Sequence, residues 1–458
     1  MKLESVDKLG KDNKRRMSSV FWLVLAGLLA GIVVGAMKLY ETELPQIALT
    51  SDVAHFGVSK RVGVAVSDAK SGVREIAVAL EQGGRRVRVH TKNYAGTGFV
   101  MKTGPVRVVE EFAVDTAPLK FADGDARLMV TVRDYSWWHM RGGNVVEASF
   151  PVTIDTRPPS VQITTSPNYI KAGGSGVVVY HLSEQVSRHG VFIDGDFHPG
   201  YPLFVHGDGV YGATIAIRYD AEKISEAYVT ATDLAGNDGR SDFGMILKRS
   251  PKKVDRINIS DGFLASKLPE FAAHNDKLTG TPLEQYLVIN TRIRQENNKR
   301  IGEVCASSAP ERFWQGVFGR LPRSSRKAGY ADYRTYFYND SEIDMQVHLG
   351  IDLASTKHAE VGAANRGRVV FADYLGIYGN AVIVDHGMGV FSLYSHLNQM
   401  DVKAGDMVEK DGLLGRTGTS GMAGGDHLHF SMLVNGIFVD PIEWWDAHWL
   451  QLNVESSL

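Results

Sequence analysis

The residues able to do chemistry crowd toward the C-terminus of this chain. The last 111 of 458 residues hold seven of the 15 histidines: His348, His358, His386, His396, His427, His429 and His448. Three short patterns stand out among them: His348-Leu349-Gly350-Ile351-Asp352, Tyr394-Ser395-His396-Leu397 and His427-Leu428-His429-Phe430. The stretch GDHLHFSMLV reads as a strand, and side chains two apart on a strand share a face, so His427 and His429 address one groove. Both can bind a metal, or one can bind while the other moves protons. In MQVHLGIDLAS the apolar residues Val347, Leu349, Ile351 and Leu353 form one face and leave His348 and Asp352 on the other. In a straight strand those two would stand ~13 Å apart. Gly350 is where a bend or bulge can bring them together. Two histidines and a carboxylate, with a fourth position left to water, make a catalytic zinc set.

Other chemistries are poorly supported. The sequence contains neither HExxH nor GxSxG. GTSGMAGGD (418–426) lacks the Lys-Ser/Thr ending of a phosphate loop and reads as the loop that delivers the His427–His429 strand. Ser67 and Lys70 have Ser-x-x-Lys spacing, which arises often by chance. His386 reads as structural, His358 and His448 as surface residues, and Tyr336, Tyr338 and Tyr394 as packing aromatics rather than oxyanion donors. Cys305 excludes an internal disulfide framework and a Cys-rich zinc module, and reads as a small buried apolar residue.

The elements that must position these groups are largely strands. RVGVAVSD (61–68), VREIAVAL (73–80), ARLMVTVRD (126–134), SFPVTID (149–155), GVVVYHLS (176–183) and ISEAYVTATD (224–233) have strand composition, many with apolar–polar alternation. Arg157-Pro158-Pro159 is a stiff break between them. Val130-Thr131 and Asp134 recur as Val229-Thr230 and Asp233, a shift that suits two β-sandwich modules in tandem. ATDLAGN (231–237) resembles the final-strand region of bacterial immunoglobulin-like domains. These modules read as spacers, with glycan or protein binding as the sharper option. Beyond them, Thr281-Pro282-Leu283-Glu284 carries a capping Thr, a first-turn Pro and a reciprocal Glu. The helix it starts is predicted to run to about Val304, with Arg292, Arg294, Lys299 and Arg300 on a solvated face.

At the other end, Met17 to Met37 carry no charge and would span ~31 Å as a helix, about a bilayer's hydrocarbon core. Lys2, Lys8, Lys11, Lys14, Arg15 and Arg16 precede it, which keeps that end cytoplasmic by the positive-inside rule. A retained single-pass anchor is the expectation, with a cleaved signal peptide as its rival. Gly27, Gly31 and Gly35 share a helix face that would let two copies pack closely as a homodimer. Fifty Lys+Arg against 52 Asp+Glu leave a formal charge of −2, so no global basic field attracts nucleic acid. Hydrophobic residues at 44% and charged residues at 22% exclude a mostly disordered chain.

The stretch from about Tyr330 to Trp445 resembles the LytM/lysostaphin-type zinc endopeptidase family. HLGIDLAS (348–355), GRVVFADYLGIYGNAVIVDHGMGVFSLYSHL (367–397), VKAGDMVEKDGLLGRTGTSGMAGGDHLHF (402–430) and VDPIEW (439–444) carry the resemblance, in family order. It implies a compact antiparallel β-sheet domain with a groove across the sheet, and cleavage of peptide bonds in bacterial peptidoglycan. It implies His348, Asp352 and His429 as ligands of one Zn2+, with His427 and His396 as unligated active-site histidines. His427 is the expected base and His396 the residue that orients water or stabilises the tetrahedral intermediate, and the two roles can be exchanged. The loop ASTKHAEVGAANRG departs from the family pattern, which touches substrate detail rather than the ligands.

The expected architecture is therefore mainly β. It comprises a cytoplasmic basic tail (1–16), a transmembrane helix (17–37), two immunoglobulin-like β-sandwich modules (50–156 and 157–250) and a helical linker (251–327). The zinc endopeptidase domain (328–447) and a short tail (448–458) complete it. The expected function is a membrane-anchored, extracytoplasmic zinc endopeptidase acting on peptidoglycan stem or cross-bridge peptides. The alternative is a silent regulator of other peptidoglycan hydrolases, or an enzyme whose groove is covered by residues 251–340.

Overall fold

Alternating apolar residues do most of the building in this protein. A computed structural model describes residues 4–39, 42–98, 102–138, 142–249, 251–275 and 278–458, and the side chains of 1–18 and 38–41 lie outside that description. Lys2, Lys8, Lys11, Lys14, Arg15 and Arg16, with Met17, fall there, so the basic tail is known only by its sequence. The chain is mainly β, 46% strand against 19% helix. It divides into residues 1–158 with 234–237, and residues 159–233 with 238–458.

The first unit begins with the helix Glu4–Leu39. Its segment Ser19–Met37 is long and apolar enough to cross a membrane, and none of it is buried. A signal sequence would meet the same test. Behind it stand a three-stranded sheet (Gln46–Leu49, Ser59–Ser67, Arg107–Asp115) and a five-stranded one (His55–Phe56, Val145–Ile154, Gly124–Asp134, Val73–Gln82, Arg85–Asn93). Val62, Val64 and Val66 of one sheet share a core with Ile76, Val78, Leu80, Leu128, Val130 and Val132 of the other. That spacing of two puts each set on one face of its strand. Asp134 closes the Gly124–Asp134 strand as a buried acceptor for the N–H groups of Ser136 and Asn144. Asp233, its counterpart in the sequence repeat, is also buried.

The second unit opens with a pair of four-stranded sheets. One runs Tyr201–Pro202, Val210–Ala216, Ser175–Leu182, Val161–Thr165; the other runs Asp196–Pro199, Val186–Ile193, Ala227–Asp233, Asp238–Asp242. Val178, Tyr180, Val191, Ile215 and Val229 fill the space between them. The run GVVVY does not alternate, and the structure supplies the reason. Val177 and Val179, on the opposite face from Val178, are buried with Trp314, Phe318 and Trp444 in the core of the C-terminal domain. A strand covered on both sides reads as a continuous apolar run.

A polar seam fixes the same junction. Lys171 Nζ lies 2.7 Å from Asp440 Oδ2 and 3.3 Å from Glu443 Oε1. Glu443 Oε2 accepts the Ser175 N–H at 3.1 Å, and Trp444 Nε1–H donates to Ser175 Oγ at 3.1 Å. Asn435 Nδ2 donates to the Thr214 carbonyl at 2.8 Å. The C-terminal domain's core thus draws on the second sandwich and on Trp314 and Phe318, both before residue 328.

The C-terminal domain is built on a ten-stranded antiparallel sheet. Its central strands include Ile351–Ala354, Leu428–Val434, Val390–Met400 and Asn380–Gly387. Beside it sits a small sheet of Val254–Ile259, Asp332–Tyr338 and Ser341–His348, in which the first strand runs parallel to the second. Helix Asp261–Ala273 and the run Pro282–Val304 pack nearby. The capping box at Thr281 and Glu284 is present, with both reciprocal hydrogen bonds made.

Two measurements test this architecture. A fragment of residues 159–458 is expected to melt in one cooperative transition. A fragment of 328–458, stripped of Trp314, Phe318 and the covering sheet, is expected to lose cooperative melting, as followed by near-ultraviolet circular dichroism. His198 and His386 are fully buried, which pushes both down to about 4. The unfolded chain takes up those protons first, so stability is full above pH ~6.5 and falls toward pH 4, by on the order of 2 kcal/mol per histidine at pH 5. Replacing His386→Gln is expected to flatten the melting temperature's pH dependence between 7.5 and 5.

Candidate metal centre

The site forms where two sheets meet, and strand register does the first part of the work. Asp352 and His429 are directly opposed residues of neighbouring antiparallel strands, so their side chains emerge on the same side. His348 ends the last strand of the small sheet, and the chain returns to the large sheet at Ile351. Gly350 lies at that crossing. A Cβ there would stand 2.6 Å from both His429 Nε2 and Ser431 Oγ, so only glycine lets the turn close against the site. The separation expected of a straight strand is thereby removed.

Three donor atoms then converge. His348 Nε2 lies 2.9 Å from Asp352 Oδ1 and 2.9 Å from His429 Nδ1, and His429 Nδ1 lies 3.0 Å from Asp352 Oδ1. Their surroundings fix which nitrogens carry protons. His348 Nδ1–H donates to the Gly329 carbonyl at 2.7 Å, which leaves Nε2 to face the site. Ser431 spends its hydroxyl proton on the Leu349 carbonyl at 2.8 Å, so its Oγ accepts from His429 Nε2–H at 3.1 Å and leaves His429 Nδ1 bare. His348 Nε2 and His429 Nδ1 thus converge on each other and on a carboxylate. Such an arrangement asks for a cation. Two nitrogens and one oxygen, all held within one ion's reach by outer hydrogen bonds, fit zinc's donor preferences and its bond lengths of ~2.0–2.2 Å.

Electrostatics agree with that donor set. Burial alone would raise Asp352, but His348 first, and then His427 and His429, hold it well below the usual carboxylate range. Its Oδ2 accepts from Arg334 Nη2 at 2.9 Å. Burial lowers His429 to about 4, so it stays neutral.

The other two predicted histidines also reach the site. His427 Nδ1–H donates to the Gly425 carbonyl at 2.7 Å and its Nε2 lies 3.5 Å from Asp352 Oδ1. Burial opposes its charged form, but the Asp352 carboxylate outweighs that and raises it. His396 follows Ser395, which is paired with His429, and regular alternation would turn His396 to the far face. Its φ of 62° turns it back, and its ring centroid lies 4.8 Å from that of His427. His396 Nδ1–H donates to the Ser420 carbonyl at 2.8 Å. Burial first, then the neighbouring His427 and His429, lower it well below the ordinary histidine range.

Residues 346–441 match the model of Peptidase family M23. The C-terminal domain belongs to that family. The "DD-carboxypeptidase/endopeptidase Mpg" of Neisseria meningitidis is 36% identical over 97 residues, which cover 21% of this chain and 22% of that protein. The "Murein hydrolase activator EnvC" of Escherichia coli is 35% identical over 95 residues, 21% of this chain and 23% of that protein. The chain thus matches these curated relatives over less than a quarter of their length. The solved catalytic domain of the antimicrobial peptidase lysostaphin from Staphylococcus simulans aligns at 25% identity and a TM-score of 0.25, covering 29% of this chain and 98% of that one.

Elsewhere in the M23 domain, His386 is buried between the Arg366 carbonyl and Ser392 Oγ, a structural role. His448 is exposed. His358, expected at the surface, is only partly so; its Nδ1 lies 3.1 Å from the Thr417 carbonyl and 3.5 Å from Asp426. Tyr394 is buried and accepts the Ala364 N–H, and Tyr338 donates to Asp261. Cys305 is buried, and burial pushes its thiol up.

Several participants carried no local signal in the sequence. Arg334 holds Asp352 from the neighbouring sheet. Lys267 and Glu270, one turn apart on the helix Asp261–Ala273, grip the Thr419 carbonyl and the Gly421 N–H. Between those two anchors lies Ser420, whose carbonyl orients His396. Arg294, expected on a solvated face, is instead half-buried and lines the cavity that contains the metal-centre residues.

Replacing His429→Ala is expected to abolish stoichiometric zinc binding, measured by plasma mass spectrometry on dialysed protein. Glu270→Ala is expected to retain one zinc while reducing kcat roughly 10-fold, because it frees the peptide that orients His396.

Proposed function

We propose that this chain is a membrane-anchored zinc metalloendopeptidase that hydrolyses peptide crosslinks of bacterial peptidoglycan. The observation that carries the reading is the paired arrangement of histidines: two with ring nitrogens converging on a buried carboxylate, and two more, His427 and His396, held beside them. Zinc held by His348, Asp352 and His429 would supply Lewis acidity toward water and the scissile carbonyl.

The chain's own residues account for the remaining steps. His427 is the general base: its Nδ1–H is fixed by Gly425, so Nε2 is the atom that takes a proton from water and returns it to the leaving amine. His396, neutral and anchored through Nδ1–H, presents Nε2 to orient that water or steady the tetrahedral intermediate. The two roles can be exchanged. Arg334 holds Asp352 in place through an ion pair at 2.9 Å.

In this reading Ser19–Met37 is a retained inner-membrane anchor, the basic tail stays cytoplasmic, and the two sandwich modules carry the M23 domain toward the cell wall. Gly27, Gly31 and Gly35 form the face on which two copies would pair. A second reading, a regulator that binds without cleaving, is favoured by the similarity to a relative named as a hydrolase activator.

Zinc-loaded protein incubated with purified crosslinked peptidoglycan, with products read by mass spectrometry, separates the two. Crosslink cleavage that disappears in His429→Ala and on chelation is the expected result. Zinc bound at one equivalent with no cleavage would sink the enzyme reading in favour of the regulator.

A further inference from the structure

The cavity over the metal centre has a volume of about 470 Å³, within the range of sites that enclose a small ligand. Its charged lining among the described residues, histidines apart, is two guanidiniums, Arg294 and Arg334, against one carboxylate, Asp352. Arg334 and Asp352 pair with each other at 2.9 Å. Arg294 has no carboxylate within ion-pair distance among the described residues. Its Nε and Nη2 donate to the Asn290 carbonyl at 3.0 Å and to Asn290 Oδ1 at 2.5 Å, which fixes the fork and leaves Nη1 uncommitted.

The wall around Arg294 is rich in donors. Asn298, one helical turn on, lines the same cavity; its Oδ1 accepts from the Tyr378 hydroxyl at 2.8 Å, and its amide N–H2 has no described partner. Tyr286, also lining it, is 1% exposed, and its buried hydroxyl has no hydrogen-bond partner among the described residues. A half-buried cation whose neighbours also offer unanswered donors is well matched to an anion. A bound dication at the metal centre would add to the same positive field.

We infer that Arg294, with Asn298 and Tyr286, forms a subsite for a free carboxylate of the peptide substrate, so that the groove selects acidic stem peptides over neutral bridges. The inference rests on the endopeptidase reading above for the identity of the ligand as a peptide. A guanidinium with one edge pinned presents its remaining N–H groups in a fixed direction, which suits a planar carboxylate better than a diffuse apolar chain. The subsite belongs to the helical run before the M23 match. Specificity would then reside in Pro282–Val304 and hydrolysis in the domain that follows.

The test uses the detergent-solubilised full chain loaded with zinc. Its substrates are two synthetic crosslinked stem-peptide dimers, identical except that the carboxylate beside the cleaved bond is free in one and amidated in the other. The wild type is expected to favour the free acid in kcat/KM by roughly 10- to 100-fold. Arg294→Gln is expected to bring that ratio close to one, and Arg294→Lys to restore part of it. A wild-type ratio of one, or a ratio that survives Arg294→Gln, overturns the inference. Equal loss on both peptides in Arg294→Gln, with the preference intact, assigns the residue a structural role and also overturns it. Should neither peptide be cleaved, the endopeptidase reading fails by itself, and calorimetric binding of the same pair decides the subsite. Equal affinities in the wild type then count against it, and a free-acid preference abolished by Arg294→Gln counts for it.

Discussion

One carboxylate buried against two converging imidazole nitrogens sets the terms for the rest of the M23 domain. Asp352 is 13% exposed at its side chain, and His348 Nε2 and His429 Nδ1 stand 2.9–3.0 Å from its Oδ1 and from each other. Polar atoms buried that close together are costly unless each is paired. Each donor therefore has a second contact that holds it in place. The Gly329 carbonyl backs His348, Ser431 backs His429 and Arg334 backs Asp352. These outer contacts also choose the tautomers. The site is thus specified one layer out from the atoms that would touch the metal.

That requirement reaches into the backbone. Gly350 exists because any side chain would collide with His429, and His396 takes a left-handed conformation because its strand would otherwise point it away. A non-glycine residue at φ 62° is a strained choice, and it persists where surrounding contacts over-determine it. Here the Ser420 carbonyl supplies one such contact, and Lys267 and Glu270 hold the loop on either side of it. The helix Asp261–Ala273 therefore belongs to the apparatus that aims His396.

The second sandwich has a comparable part. Its strand Ser175–Leu182 is buried on both faces, and the seam from Lys171 to Asp440 and Glu443 ties it to the end of the M23 domain. An ion pair with both carboxylates largely buried contributes little net stability by itself, but it penalises any other docking because separation would strand the charges. Together with Val177 and Val179 packed on Trp444, it joins the sandwich to the domain's core.

Much of this was legible in the chain because it is encoded locally. Strand periodicity revealed the sandwiches, the Thr281–Glu284 pair revealed a helix start, and His348, Asp352, His396, His427 and His429 announced themselves by type and spacing. The continuous GVVVY run held a further clue, a strand covered on both sides. By itself the sequence determined which atoms can bind a cation and which elements carry them, since both follow from side-chain chemistry and short-range geometry. Only the tertiary structure decided what surrounds them. Arg334 against Asp352, Lys267 and Glu270 on the 419–421 loop, Lys171 under Asp440 and Arg294 over the groove are pairings across distant stretches of chain, 269 residues apart for Lys171 and Asp440. No local pattern encodes such a meeting, because a lone cation on a helix or strand has the same sequence signature whether it faces water or a buried carboxylate.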